Sequence, residues 1–194
     1  MEPVFTLPYS EYLAANLLSH HFKAKAGYSI FVPASRQEKG VDILLAKRED
    51  KRLKCASFQV KSSRTYSPMP PKRETTVRYS YTTWFNTFKV PEEADFFLLV
   101  GLYPPEENRT RKVAHSWWNS VVLMFTREEM KGFMSQVKTK GGMPDGKFGF
   151  GFDSTAKIIL TRGDPNRTMK DYSPYLLHNR IEEIKGFFRN EDDE

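Results

Sequence analysis

The sequence predicts one domain that mixes helices and strands, and we favour an α/β fold in which a central mixed β-sheet is flanked by α-helices. Three observations support this class. A helical pattern at the start precedes a series of strand-like segments, strand and helix patterns alternate along the rest of the chain, and 194 residues suit one domain with a real core. No internal repeat is present in the sequence, and an α+β arrangement of the same elements is the alternative.

The first predicted element is an amphipathic helix at residues 10–24. Leucines recur there at helical spacing, Ser10 can cap the start, and Gly27 follows the end. Three strands rich in apolar and β-branched residues are predicted next, and the second and third form a hairpin across a charged turn. These strands cover residues 28–34, 41–47 and 53–63.

The rest of the chain contains further strands and two helices. Residues 64–76 are rich in Pro, Arg, Lys, Ser and Thr, which predicts an exposed loop. Thr126 is predicted to cap a helix at residues 127–137, and a closing helix is predicted at residues 174–189. Strand-like segments occur at residues 77–90, 94–103, 117–125 and 156–160, with a Gly-rich loop or hairpin at residues 141–152.

The charge of the chain is unevenly spread. The net charge is +6, and residues 1–90 hold 15 Lys and Arg against 7 Asp and Glu, a net charge of +8. Residues 91–194 hold 15 basic against 17 acidic residues, a net charge of −2. A positive surface attracts a polyanion and releases its counterions on binding, so the basic half suits a nucleic-acid partner. A merely basic soluble protein is the simpler alternative.

Membrane and secreted classes do not fit the sequence. No apolar run approaches the roughly 20 residues that cross a bilayer, and the amino terminus lacks the pattern of a secretion signal. The single cysteine, Cys55, cannot form an internal disulfide and fits a reducing compartment, where we expect it to be a small core residue. We therefore expect a cytoplasmic protein without a membrane partner, and a frayed acidic tail at residues 191–194.

The segment SFQVKSS at residues 57–63 places polar side chains on one face of a predicted strand. Gln59 and Lys61 share that face, while Phe58 and Val60 point to the other. Asp42 begins the preceding strand, and a hairpin brings it beside Gln59. Carboxylate and amide oxygens with an ammonium group suit a Mg²⁺ site acting on a phosphodiester. An ordinary amphipathic strand, with Asp42 as a turn or cap residue, is the simpler alternative.

An amphipathic helix followed by Gly40-Val41-Asp42 and then Gln59-Val60-Lys61 resembles the PD-(D/E)XK nuclease superfamily, which includes restriction endonucleases, junction resolvases and repair nucleases. The resemblance covers about residues 8–63 of a single nuclease-like domain and implies a restriction-endonuclease-like core. It implies Mg²⁺, or Mn²⁺ in its place, bound by Asp42 and Gln59. It also implies that Lys61 is the catalytic lysine, which positions and activates the attacking water.

Gln59 departs from the family pattern, which usually has a carboxylate at this position. A neutral amide can still give one oxygen to a metal, but it removes a unit of negative charge. Several branches of the superfamily resemble this sequence in having Gln there, often with a Glu on the first helix, so Glu11 is predicted as a further metal ligand and catalytic residue. A favourable interaction of Glu11 with its helix dipole is the alternative, and Glu38 is a weaker substitute.

Further residues are predicted to contact nucleic acid. Hydroxyl and basic side chains after Lys61 and in the following loop can bind phosphates: Ser62, Ser63, Arg64, Lys72 and Arg73. The expected activity is Mg²⁺-dependent endonucleolytic cleavage of duplex or branched DNA, where DNA in preference to RNA rests on the resemblance. The resemblance also suggests a homodimer. The alternatives are a nuclease-like fold that binds nucleic acid without cutting it, and a protein-interaction subunit.

An aromatic cluster follows the basic loop. Its members are Tyr79, Tyr81, Trp84, Phe85 and Phe88. Core or edge-strand packing is the favoured role of these rings, and base stacking or a dimer surface is the alternative.

Overall fold

The computed structural model of the chain describes residues 9–33, 40–49, 52–66, 81–103, 119–152, 157–166 and 168–189, apart from the side chains at positions 64, 103 and 119. The helices within these residues are α1 (Tyr9–His21), α2 (Arg127–Gln136) and α3 (Ile181–Phe187). The strands are β1 (Tyr28–Phe31), β2 (Ile43–Glu49), β3 (Arg52–Tyr66), β4 (Tyr81–Thr83), β5 (Phe96–Tyr103), β6 (Asn119–Thr126), β7 (Gly149–Phe152) and β8 (Ile159–Arg162).

Five strands form a mixed sheet in the order β1-β2-β3-β5-β6. Neighbouring strands are antiparallel except β3 and β5, which run parallel. The α/β class with a mixed sheet is therefore confirmed. Strands β4, β7 and β8 form an antiparallel extension, which joins the sheet where Thr83 of β4 pairs with Thr65 near the end of β3. The long strand β3 thus belongs to both parts.

The two faces of the five-stranded sheet carry different cores. The first core packs α1 and α3 on one face and includes Leu18, Phe58 and Ile184. The second core packs α2 and the extension on the other face and includes Phe97 and Phe133. Helices thus flank both faces of the sheet. Among the described residues, the second core contains none from β1, β2 or β3, so polar side chains of β3 occupy that part of the second face.

The start of α2 follows its sequence signal. The Thr126 hydroxyl accepts a hydrogen bond from the N–H of Glu129 at 3.3 Å, and the Glu129 carboxylate accepts one from the N–H of Thr126 at 2.9 Å. This capping box satisfies two backbone donors that a helix leaves unpaired at its first turn. The predicted cap and helix are confirmed.

The predicted closing helix is too long. Helix α3 begins only at Ile181, and two short 3₁₀ turns precede it at Ser173–Tyr175 and Leu177–Asn179. Leu176 lies between the turns with an extended backbone and forms a β-bridge with Leu123 of β6. Pairing with the sheet therefore overrides the local helical pattern at this point.

Cys55 is exposed, so its prediction as a core residue is wrong. Strand alternation places its neighbour Ala56 in the first core and turns Cys55 to the second face, which the second core does not cover here. No helix among the described residues has the length and apolarity to cross a bilayer. The loop predicted at residues 64–76 starts too early, because residues 64–66 belong to β3. The remaining loop residues 67–76, the acidic tail at 191–194 and Glu38 lie outside the described residues.

Candidate active site

Asp42 precedes β2 and is bonded directly to β3. Its N–H donates to the carbonyl of Phe58 at 2.8 Å, and its Oδ2 accepts a hydrogen bond from the N–H of Val60 at 2.7 Å. Because β2 begins only at Ile43, the carboxylate takes the place of the strand partner that Val60 lacks on this side. The structure therefore brings the Asp42 carboxyl to the backbone between Gln59 and Lys61.

Gln59 lies next to Asp42 and has an unsatisfied oxygen. Ile43 pairs with Phe58 in the antiparallel ladder, so the next position along the ladder sets Asp42 opposite Gln59. The Gln59 side chain is only 6% exposed, and its Oε1 accepts no hydrogen bond from any residue that the structure describes. Leaving a buried acceptor unpaired costs about 1–3 kcal/mol. Such an atom fits a site whose missing partner is a cation or a substrate donor.

Gln59 and Lys61 line an open cleft of about 770 Å³. The other lining residues are Gly40, Ser62 and residues 84–91. Lys61 is exposed, and its ammonium has no hydrogen bond or ion pair with the described part of the chain. The described lining includes a second exposed lysine, Lys89, and no acid. The cleft is therefore positively charged and suits a phosphate group.

Asp42 does not itself line this cleft. It lies two residues after Gly40 and is attached to β3 through Val60. Among the described residues, no group of three or more His, Cys, Asp or Glu side chains is gathered at one place. Mg²⁺ retains several water ligands and can be held by one or two carboxylates, so the oxygens of Asp42 and Gln59 are compatible with it.

Glu11 is not placed in the cleft. It is partly exposed on α1, whose residues Ala14 and Leu18 pack into the first core. Gln59 and Lys61 emerge on the opposite face of the sheet. The role of Glu11 as a metal ligand stays a prediction.

Glu93 brings a carboxylate to the edge of the site that the sequence did not indicate. Its Oε2 lies 3.3 Å from the position that a Cβ atom on Gly40 would occupy, and Pro91 lies 2.8 Å from the same position. The carbonyl of Glu93 accepts a hydrogen bond from the Ser57 hydroxyl at 2.7 Å, which fixes this segment to β3. Only a glycine leaves room for this approach, and its φ of +84° also favours glycine at position 40.

The sequence shows Glu93 only as one of several acidic residues before a strand. Acidic residues at positions 92, 93 and 95 directly precede the buried strand β5. Asp95 is already used by the fold, because its carboxylate accepts a hydrogen bond from the N–H of Ser57 at 2.9 Å and pairs with Arg127 at 2.8 Å. Glu93 becomes a candidate only once β5 is known to run parallel to β3.

The predicted phosphate contacts separate into different roles. Ser62 is exposed and lines the cleft. Ser63 is 5% exposed, and its hydroxyl donates to the carbonyl of Trp84 at 2.8 Å and accepts from the N–H of Trp84 at 2.6 Å. Ser63 therefore holds the cleft wall, and its role as a phosphate contact stays a prediction. The Arg64 side chain, Lys72 and Arg73 lie outside the described part of the structure.

Comparisons with known proteins add no relative at this point. No family model, no curated protein and no solved structure matches this chain. The motif residues and their geometry are therefore the observations that bear on function.

Proposed function

We propose that the protein is a metal-dependent nuclease that hydrolyses phosphodiester bonds of DNA, with Asp42, Gln59 and Lys61 at its centre and a restriction-endonuclease-like core. One observation carries the proposal. The Asp42 carboxylate is bonded beside a buried Gln59 whose Oε1 has no partner among the described residues. The same strand presents Lys61 to an open, positively charged cleft.

Asp42 and Gln59 would hold Mg²⁺, or Mn²⁺ in its place. Asp42 uses Oδ2 for Val60, so Oδ1 is the oxygen it can offer to a cation. Glu93 from the Gly40 edge would add the negative charge that an amide does not supply. When bound there, Mg²⁺ would supply Lewis acidity toward a phosphate oxygen and toward a water molecule.

Lys61 supplies a fixed positive charge to the cleft. Its ammonium can donate to a phosphate oxygen and stabilise the negative charge that develops there, or it can orient the attacking water. A lysine suits this role because its ammonium is a compact point charge with three donors. Strand β3 is paired on both sides over this region, with Asp42 on one side and β5 on the other, so the site is built on a rigid element.

Replacing Lys61 tests the proposed activity. We expect Lys61→Ala to reduce Mg²⁺-dependent cleavage of plasmid and branched DNA by about 100-fold or more, because one preorganised charge is lost. The exposed side chain of Lys61 contributes little packing, so the thermal unfolding midpoint should not change. Lys140→Ala removes one positive charge from the exposed turn after α2 and is the matched control. Wild-type cleavage rates in Lys61→Ala would contradict the proposal.

A nucleic-acid-binding protein that does not cut is the second candidate function. The neutral Gln59 and the lack of any acid in the described cleft lining favour it. The same assay separates the two functions when it is run with Mg²⁺ and with Mn²⁺. Binding of DNA by the wild-type protein, with no cleavage in the presence of either metal, would favour the second candidate.

A further inference from the structure

Trp84 is an exposed aromatic residue in the lining of the cleft that contains Lys61. Its side chain is 42% exposed, whereas Phe85 and Phe88, from the same segment, are 4% and 7% exposed and belong to the second core. Of the predicted core or edge-strand packing of the aromatic cluster, core packing therefore holds for Phe85 and Phe88, whereas Trp84 lies outside the core. Tyr81 is partly buried against the second core, and Tyr79 lies outside the described residues.

The backbone of Trp84 is fixed relative to Lys61. Both its N–H and its carbonyl are bonded to the hydroxyl of Ser63, which follows Lys61 by two positions on the same face of β3. Phe85 is held in turn by two backbone hydrogen bonds to Phe148, at 2.8 and 3.1 Å. An exposed indole on so firmly held a backbone is preorganised for a ligand.

One face of the indole is covered by a cation. The guanidinium carbon of Arg162 lies 4.4 Å from the ring centroid, and this guanidinium also pairs with Asp145 at 3.2 Å. Arg162 does not line the cleft, whereas Trp84 does. Trp84 remains 42% exposed with Arg162 on one side of the ring, so the side away from Arg162 is the proposed position of a second stacking partner. A flat base on that side would complete a sandwich of base, indole and guanidinium.

The surrounding side chains suit a sugar-phosphate backbone. Asn86, Thr87 and Lys89 are exposed and line the cleft with Lys61. Thr87 has a φ of +52°. This left-handed backbone is unusual for a β-branched residue and recurs at ligand sites. The polar and basic groups lie between residues anchored in the second core.

An exposed aromatic ring in the cleft favours an unpaired strand over a duplex. Bases inside a duplex are already stacked on both faces and cannot stack on a side chain without leaving the helix. Unpaired bases can do so, and stacking tolerates any base because each has a flat π face.

We propose that this cleft binds an unpaired stretch of nucleic acid, with one base stacked on Trp84 and phosphates beside Lys61 and Lys89. For cleavage, the inference rests on the proposed nuclease function and narrows its substrate to single-stranded or branched DNA. Binding does not depend on that function.

Binding measured in EDTA tests the stacking separately from any cleavage. Fluorescence anisotropy would compare a labelled single-stranded oligothymidylate with a blunt duplex of equal length. We expect Trp84→Ala to weaken single-strand binding by about 10- to 100-fold and Trp84→Phe to retain most of it, because stacking needs an aromatic ring. Tyr12→Ala removes an aromatic side chain that is 59% exposed on α1 and should leave binding unchanged. Single-strand affinity in Trp84→Ala equal to that of the wild type would overturn the proposal.

A fluorescence measurement keeps the test decisive if Trp84→Ala folds poorly. Stacking of a base on the indole should quench wild-type tryptophan emission when oligothymidylate is added, and Trp84→Phe should lose this quenching. Quenching of equal size in Trp84→Phe would contradict the stacking. Single-strand binding through Trp84 without cleavage in Mg²⁺ would overturn only the nuclease function. Cleavage with no effect of Trp84 would overturn only the present inference.

Discussion

Asp42 uses the two oxygens of one carboxylate differently. Oδ2 accepts a hydrogen bond from the N–H of Val60. This bond completes the backbone pairing of β3 at a position where β2 has not yet begun. This structural role of Asp42 does not exclude a ligand role, because a carboxylate has about four lone-pair sites. The hydrogen bond fixes the orientation of the carboxyl group, as bonds to the ligands of metal sites commonly do.

Gln59 is the residue where stability and function should respond in opposite directions. Gln59→Met keeps a similar shape and removes the unpaired oxygen, so we expect the free energy of unfolding to stay equal or rise by about 1 kcal/mol. Loss of the oxygen should also weaken Mn²⁺ binding by about tenfold or more, as lost site contacts do. Urea unfolding and titration calorimetry would measure the two quantities.

Gln136→Met is the control for the Gln59 prediction, because Gln136 is exposed at the end of α2. It should change neither stability nor Mn²⁺ binding. A clear loss of stability in Gln59→Met would mean that Oε1 is satisfied in the folded protein, and the argument for a ligand there would fail.

At the scale of elements, Ser63 joins β3 to the cleft wall. Ser63→Ala leaves the N–H and carbonyl of Trp84 without this partner, so we expect the free energy of unfolding to fall by about 1–3 kcal/mol. Single-strand binding should weaken with it, because the indole is no longer held. Ser62→Ala changes the adjacent, exposed hydroxyl and should alter stability by less than about 0.5 kcal/mol. Equal effects of the two variants in urea unfolding would show that the bonds to Trp84 contribute nothing.

The elements that the sequence predicts correctly are those with local signals. Thr126 and Glu129 provide a capping box within one turn, and the charged turn between β2 and β3 joins two segments with clear strand patterns. The closing helix fails because Leu176 pairs with Leu123, a residue far away in the chain. A local pattern cannot contain such a pairing, and tertiary contacts override propensity there.

The residues of the candidate site also divide into those with a local sequence signal and those without one. Asp42 and Gln59 could be placed together because a hairpin register relates them through one short turn. Glu93 and Trp84 could not be placed with them, because their contacts with β3 are long-range. Glu93 depends on the parallel pairing of β5, and Trp84 depends on the bond to Ser63. Long-range parallel pairing leaves no periodic signal that a single sequence reveals.

At the scale of the whole molecule, the charge asymmetry coincides with the cleft. Every described residue that lines the cleft lies between positions 40 and 91, and residues 1–90 carry a net charge of +8. Acidic residues of the other half make ion pairs within that half, such as Glu129 with Arg180 at 2.7 Å and Asp95 with Arg127 at 2.8 Å. The positive field of the first half is therefore available to a polyanion.

Salt dependence would show whether that field is used in the cleft. We expect the affinity for a single strand to fall linearly with salt on a double-logarithmic plot, and Lys89→Ala to reduce the slope by about 0.7 through the loss of one phosphate contact. Lys140→Ala removes the same charge from the turn after α2 and should keep the wild-type slope, because a general loss of net charge has little effect beyond a screening length of about 10 Å. Anisotropy titrations at several salt concentrations measure both slopes. Equal slopes in Lys89→Ala and the wild type would show that no phosphate binds beside Lys89. A lysine that neutralises a phosphate displaces a counterion from the nucleic acid and so contributes to the slope.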